Sequence, residues 1–453
     1  AFFLAGFSIT TWAPMIPVIK ERLQIGDNIL GLLLLCIGVS AFVFMPIAGI
    51  LNQKLGCKKM LQINIILFAL ILIIISLLII YFLIPQPEEK KKSVVKTIKE
   101  NETEEMRGIF ISYIELNNYI KNKDELESKK NIDQMIKNIK TNHFNTIFLQ
   151  VRSHADSIYE SDIFPTSKSI ILSDNTHYDV LKYFIDKTKK EKINLYAWVN
   201  PYRIGPIVDK SSKYYQMVGE EAIENINNTY YFNPANPKVE SLIVKGIEEI
   251  VAKYKIKGII FDDYFYPSND IDLDYYKNSK TEKSITEYRL DIVTSLIENV
   301  NKSIKKINSK VLFGVSPEGN IDNNYNKNFA DVKKWGSNSK YVDFLMPQVY
   351  YGFNNSSKPF ESVIAEWSNI ISDQNINLYF ALPFYKVGTI DLYAKDGKNE
   401  WIDNCNIIRR QIESTRTLSN YDGFSLFRYD NLFNEEKFTN NSKAELEELK
   451  KIM

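Results

Sequence analysis

The stretch FNPANPKVESLIVKGIEEIVAKYKIKGIIFDDYFYP, Phe232 to Pro267, decides the fold. From Pro237 to Tyr254 it mixes Lys and Glu with Ile, Leu and Val at helical spacing, then changes to the β-rich run GIIFDD, Gly258 to Asp263. A helix feeding an apolar strand is half of a βαβ unit, and the alternation recurs in both directions. Upstream lie NLYAWV (Asn194 to Val199), TIFLQV (Thr146 to Val151) and GIFISY (Gly108 to Tyr113). Downstream lie VLFGVSP (Val311 to Pro317), DFLMPQVY (Asp343 to Tyr350), LYFALPFY (Leu378 to Tyr385) and GFSLFRY (Gly423 to Tyr429). Amphipathic segments at Asn131 to Thr141, Asp179 to Lys192, Glu282 to Ile307 and Trp401 to Leu418 fall between them. Eight such runs are the number that closes a parallel (β/α)8 TIM barrel, an α/β fold. A doubly wound open sheet is the rival, but it brings a Gly-rich phosphate loop after its first strand, and none follows GIFISY.

A barrel of this kind builds its site at the C-terminal ends of its strands. Those ends carry Gln150 and Arg152, then Asn200, Tyr202 and Arg203, then Asp262, Asp263 and Tyr264. Glu318 follows the fifth run, Gln348, Tyr350 and Tyr351 close the sixth, Tyr385 the seventh and Arg428 the eighth. Taken singly, an Asp after a strand is more often a cap or turn residue, and a strand-end Tyr more often packs than stacks on a sugar. Their coincidence on one rim favours a site. Paired carboxylates are what glycosidic cleavage needs, one to protonate the leaving oxygen and one to act as nucleophile or to activate water. Aromatic faces with amide and guanidinium donors suit polyhydroxylated rings.

Asp262 and Asp263 are adjacent, so on a strand their side chains diverge and one points to the barrel centre. The second carboxylate is then Glu318, with Asp156 as competitor. In this division one of the Asp pair is nucleophile or base, and Glu318 is the general acid with its pKa raised by nearby like charge. Asp156, Asp262 and Asp263 offer oxygen ligands suited to a hard cation, yet no loop has regular oxygen-ligand spacing. The reading therefore calls for no metal and no cofactor.

The whole chain of 453 residues, 45% hydrophobic and 13% aromatic, exceeds what one core organises. Lys+Arg at 56 balance Asp+Glu at 55, and no sustained basic stretch offers itself to a phosphate backbone, so nucleic acid is not an expected partner. Cys36, Cys57 and Cys405 show neither metal-ligand spacing nor a disulfide framework. His143, His154 and His177 give little material for a multi-histidine metal site or a Ser-His-Asp arrangement. The near-unbroken apolar run from Ile63 to Pro85 is long enough to span a bilayer, and weaker apolar segments precede it at Phe2 to Ile19 and Ile29 to Ile50. The expected organisation is a two-helix membrane segment over 1–60, a transmembrane helix over 61–85, a charged linker over 86–106 and the barrel over 107–453.

From Arg107 to Arg428 the chain resembles the glycosyl-hydrolase-like ten family, bacterial surface proteins with a barrel fold. The resemblance rests on the opening stretch and on FLQVRSHADSIYES (Phe148 to Ser161), YAWVNPYRI (Tyr196 to Ile204), FGVSPEGN (Phe313 to Asn320) and DFLMPQVYYG (Asp343 to Gly352). It implies cleavage of a cell-wall glycan and makes Arg152, Asp156, Asn200, Tyr202, Arg203, Asp262, Asp263, Tyr264, Gln348 and Tyr350 site candidates. Many relatives carry an aromatic where this chain has Glu318. If Glu318 is not the acid, the Asp pair works with Asp156 or with a substrate acetamido group.

The first sixty or so residues resemble the opening of a major facilitator superfamily transporter, with the loop GILNQKLGCKK from Gly49 to Lys59, in which Gln53 stands at the family's aspartate position. About nine further helices of such a transporter are absent from the sequence, so transport by this chain is the weakest reading. The transporter pattern delivers the barrel outside the membrane, whereas Lys90 to Lys92, Lys96 and Lys99 argue for the opposite orientation. The expectation is a membrane-anchored, extracellular glycosidase, with a non-catalytic glycan-binding protein as the alternative. Sugar, linkage and oligomeric state are left open.

Overall fold

The computed structural model describes Gly56, Lys58, Lys59 and residues 104–453. The chain divides into two units, Ala1–Glu102 and Thr103–Met453. The three expected membrane segments lie outside the described residues. Among the described residues no helix is long and apolar enough to cross a membrane.

The strands are β1 (Met106–Ile111), β2 (Thr146–Arg152), β3 (Asn194–Val199), β4 (Arg203–Gly205), β5 (Ile223–Ile226), β6 (Thr229–Phe232), β7 (Gly258–Phe261), β8 (Leu312–Val315), β9 (Phe344–Leu345), β10 (Asn377–Leu382) and β11 (Tyr421–Leu426). Eight of them close a barrel in the order β1-β2-β3-β7-β8-β9-β10-β11, with β11 back on β1 and each neighbour parallel. The eight β-rich runs of the sequence are these strands.

Alternation along each strand sorts side chains into two cores. Phe110, Phe148, Tyr196, Trp198, Ile260, Phe344 and Tyr379 fill the barrel interior. Ile109, Ile147, Leu149, Ile259 and Phe261 pack outward against the helical layer. Burying each such side chain contributes roughly 1.5–3 kcal/mol.

The helix Pro237–Lys253 shows how the outer layer is specified. Pro237 occupies a first-turn position whose N–H would have no helical partner, and the Asn236 side chain accepts from the Lys238 N–H at 2.9 Å. Val239, Leu242, Ile243, Gly246, Ile247 and Ile250 form its buried stripe. Gly246 leaves space for a neighbour, because a Cβ there would meet Arg152 Nη1 at 2.5 Å.

Three features depart from the sequence pattern. The loop after β3 folds into a small antiparallel sheet, β4-β6-β5, whose β5–β6 turn holds Asn227 and Asn228 at φ of 51° and 62°. Asn tolerates that left-handed backbone, which suits a two-residue hairpin. DFLMPQVY is regular only at Phe344–Leu345, since Pro347 has no N–H for the ladder, and Gln348 continues as isolated bridges to Glu318 and Ala381. The expected helix from Trp401 to Leu418 is broken into Glu400–Asp403 and Ile407–Thr415. The Asn441 side chain donates to the main-chain oxygens of Ile402 and Asn404 and so satisfies the first piece where it ends.

Candidate active site

β7 stops at Phe261, and Asp262 continues the inward row that Ile260 begins. The chain then leaves the strand, so Asp263 does not follow the outward alternation. Both carboxylates line one cavity of about 290 Å3 at the C-terminal end of the barrel. This corrects the expectation that the two would diverge. The alternation that separates neighbours holds only while the backbone is paired.

Asp262 is 5% exposed. Its Oδ2 accepts from Trp198 Nε1 at 2.9 Å and from Asn200 Nδ2 at 2.6 Å, and among the described residues its Oδ1 receives only the Tyr264 N–H at 3.4 Å. Burial, and then the charge of Asp263, push its pKa up to about 7 against these donors. Asp263 is also raised, by burial and by the charge of Glu318, while Gln348 Nε2 at 3.0 Å works the other way. The same Gln348 nitrogen donates to the Ser316 carbonyl at 2.9 Å, which fixes the amide's orientation.

The remaining walls are aromatic and polar. Tyr350, Tyr385 and Phe427 pack against one another, Tyr350 and Tyr385 edge to face at 5.7 Å. Tyr264, 62% exposed, stands over the opening, and Phe110, Trp198, Arg203, Ser112 and Tyr113 complete the lining. A sugar ring entering here meets ring faces and hydrogen-bonding groups together.

Among the sequence candidates, Gln150, Asn200, Arg203, Asp262, Asp263, Tyr264, Gln348, Tyr350 and Tyr385 meet in this cavity. The others lie elsewhere. Arg152 is buried against the Phe164 ring at 4.3 Å, because the register of β2 shifts between Gln150 and Arg152 and turns it toward the helical layer. Tyr202 is a core residue. Arg428 is ion-paired to the buried Glu115 at 2.6 Å, and Asp156 accepts from the His154 N–H at 3.3 Å outside the lining. Tyr351 is half-buried beside Gly319. Glu318 is held by Asn323 at 2.5 Å and reaches the pair only through its charge on Asp263, not as a lining residue. Trp198, Tyr113, Ser112 and Phe427 went unnoticed in the sequence. Trp198 was detectable, since it lies two residues before Asn200 and so shares its inward face.

A closed parallel barrel with a buried carboxylate pair in an aromatic- and amide-lined cavity at its C-terminal end is the framework of a glycoside hydrolase. Residues 105–402 match the family described as Glycosyl hydrolase-like 10, and the chain belongs to that family and thereby to the glycosidases. Residues 1–93 match the Major Facilitator Superfamily, as the N-terminal resemblance implied. The chain is 28% identical over 324 residues to glycosyl hydrolase DigH of Escherichia coli O6:H1, covering 64% of this chain and 72% of that protein. It is 26% identical over 289 residues to glycosyl hydrolase YngK of Bacillus subtilis, covering 58% and 56%. The glycoside hydrolase domain of PgaB (BpsB) from Bordetella bronchiseptica shares the fold at a TM-score of 0.50 and 12% identity, over 76% of this chain and 98% of that one.

Proposed function

We propose that this protein is a membrane-anchored hydrolase of a cell-wall glycan of the peptidoglycan type, with the barrel on the outer side of the membrane. In this reading the apolar run over 61–85 is the anchor, 1–60 a transporter-like membrane segment, 86–106 a tether and 107–453 the catalytic domain. The observation that carries the reading is the Asp262–Asp263 pair, two carboxylates in one cavity that both hold protons more tightly than usual.

Adjacent residues cannot flank a glycosidic bond from opposite faces, as separate acid and nucleophile carboxylates do. The pair instead suits an N-acetyl sugar whose acetamido oxygen is the nucleophile. In the first step that oxygen bonds to C1 as the C1–O bond to the leaving sugar breaks. Asp262 gives its proton to the departing oxygen, and the Asp263 carboxylate accepts the hydrogen bond of the acetamido N–H. In the second step water attacks C1, its proton returns to Asp262 and the acetamido ring opens. Asn200, Gln348 and Arg203 hold the pair and the sugar, while Tyr264, Tyr350 and Tyr385 receive ring faces.

Incubation of the full chain in detergent with purified peptidoglycan, with and without its peptides, and with other N-acetylated polysaccharides tests the reading. Mass spectrometry is expected to find new reducing ends. Retention of the glycan without any cleaved product would overturn it in favour of a binding protein.

A further inference from the structure

The end of the barrel opposite the cavity carries a concentration of unpaired positive charge. Three consecutive turns there lead into β3, β7 and β8. Lys189, Lys190 and Lys192 stand on the first, Lys255 and Lys257 on the second and Lys310 on the third, all exposed. Main-chain hydrogen bonds tie the turns side by side, from the Lys257 N–H to the Leu195 carbonyl at 2.8 Å and from the Leu312 N–H to the Lys257 carbonyl at 3.1 Å. None of the six makes an ion pair with a described residue. The neighbouring cations are accounted for, since Lys253 pairs with Asp162 at 2.8 Å and Glu249 at 3.0 Å, and Lys305 with Asp343 at 2.6 Å. Glu191 is the one acid among residues 188–193, 254–257 and 308–311. Between the first two turns runs an open groove of about 620 Å3 whose walls carry Lys182, Lys189, Lys253, Lys255 and Lys257, with Asp186 as an acid that pairs with Lys182 at 3.1 Å.

A lysine in the last turn of a helix offsets the helix dipole, which is reason enough for Lys189 and Lys190. It does not account for Lys192, Lys255, Lys257 and Lys310, which lie in the turns beyond the helices. The whole chain has a net charge of only +1, so six exposed lysines without ion pairs on three neighbouring turns are a local excess.

β1 enters the barrel at the same end, because all eight strands are parallel, and Asn145, at the base of β2, donates to the Glu105 carbonyl at 2.8 Å. The chain therefore enters the barrel on the lysine face. We infer that this face docks on an anionic lipid bilayer, with the lysines over headgroup phosphates, so that the catalytic cavity points away from the membrane toward the wall. The inference rests on the membrane-anchored reading for the direction of approach. Lysines near a bilayer gain from its negative surface potential only within about a Debye length, roughly 8 Å at physiological salt, so the attraction needs close contact and fails at high salt.

The test reads lysine reactivity by mass spectrometry after brief acetylation of the full chain on vesicles. The vesicles are made of phosphatidylcholine alone or of phosphatidylcholine with phosphatidylglycerol. On the anionic vesicles the six lysines are expected to react about threefold or more slowly, and to recover at about 0.5 M salt. Lys395 and Lys398, exposed in the loop after β10 at the cavity end, are expected to react equally on both. Millimolar inorganic phosphate without vesicles is expected to protect nothing, and protection by it would replace the bilayer with a free-anion site. Equal reactivity on the two vesicle types would overturn the docking. Flotation with the neutral vesicles separately reads anchoring, and neither measurement uses a glycan. A variant carrying Lys189→Glu, Lys190→Glu, Lys255→Glu and Lys257→Glu is expected to lose the lipid-dependent protection of Lys192 and Lys310 while its melting temperature stays that of the parent. Retained protection in that variant would count against the inference.

Discussion

Asn200 donates from Nδ2 to Oδ2 of Asp262 over 2.6 Å, and its own Oδ1 is held by Gln150 Nε2, also at 2.6 Å. The direction of this chain is fixed at its far end. The Tyr113 main-chain N–H donates to Gln150 Oε1 at 3.0 Å, and a main-chain amide has no other role. Each amide in turn is therefore oriented, and Asp262 Oδ2 faces two donors. On this geometry a proton added to Asp262 goes to Oδ1.

Gln150→Glu, a change in the cavity wall that leaves Asp262 itself unaltered, reverses this chain. The introduced carboxylate needs donors on both oxygens, so Asn200 flips and turns its carbonyl oxygen to Asp262 Oδ2, which favours the protonated acid. The alkaline limb of the kcat/KM profile is expected to move up by about one pH unit. A merely structural role for Gln150 would lower kcat and leave that limb in place.

If Asp262 is the acid, activity is lost as pH rises through about 7, where its proton leaves. Asp262→Asn and Asp263→Asn are each expected to cost about 10²–10⁴-fold in kcat. Glu318→Gln, which removes only a distant charge from Asp263, is expected to cost about tenfold or less. Steady-state kinetics on one soluble glycan fragment checks all three, and a loss in Glu318→Gln equal to that of the pair would restore Glu318 as the acid.

The same group sets a pH dependence of stability. Folded Asp262 titrates at about 7, against an ordinary value of 3.8, so between these values the native state holds a proton that the unfolded chain has released. The stabilisation is complete below about pH 4 and is lost as pH rises through 7, by at most about 4 kcal/mol. Asp262→Asn is expected to flatten the melting temperature over that range and to raise it at pH 8, because the neutral amide keeps both acceptor bonds at Oδ1. Calorimetry across the range, with an unchanged slope in the variant, would refute this.

Arg289 and Asp272 form a buried pair, 2.7 Å from Nη2 to Oδ1, that clamps the segment following Tyr264. Tyr266 donates to the same carboxylate at 2.8 Å. Arg289→Met leaves Asp272 charged and buried, with an expected loss of about 3–5 kcal/mol. Asp272→Asn added to Arg289→Met is expected to recover part of it, as denaturant titration would read. No recovery would mean that the packing of Arg289 on the Phe329 ring, 4.9 Å from its centroid, matters more than its charge.

Sequence alone determined the barrel, because strand and helix periods are local and each buried run had to be apolar whichever neighbour it met. The Phe232 to Pro267 stretch already held the helix, the strand and the carboxylate pair. Periodicity could not say where β7 ends, and so misjudged Asp263, whose direction depends on the backbone leaving the sheet. Nor could it separate Arg152 from Arg203, since a register shift in β2 sends the first into the helical layer, while β4 brings the second to the cavity. The lysine face shows the same limit. Lys189, Lys257 and Lys310 are far apart along the chain, and only closure of the barrel brings their turns together.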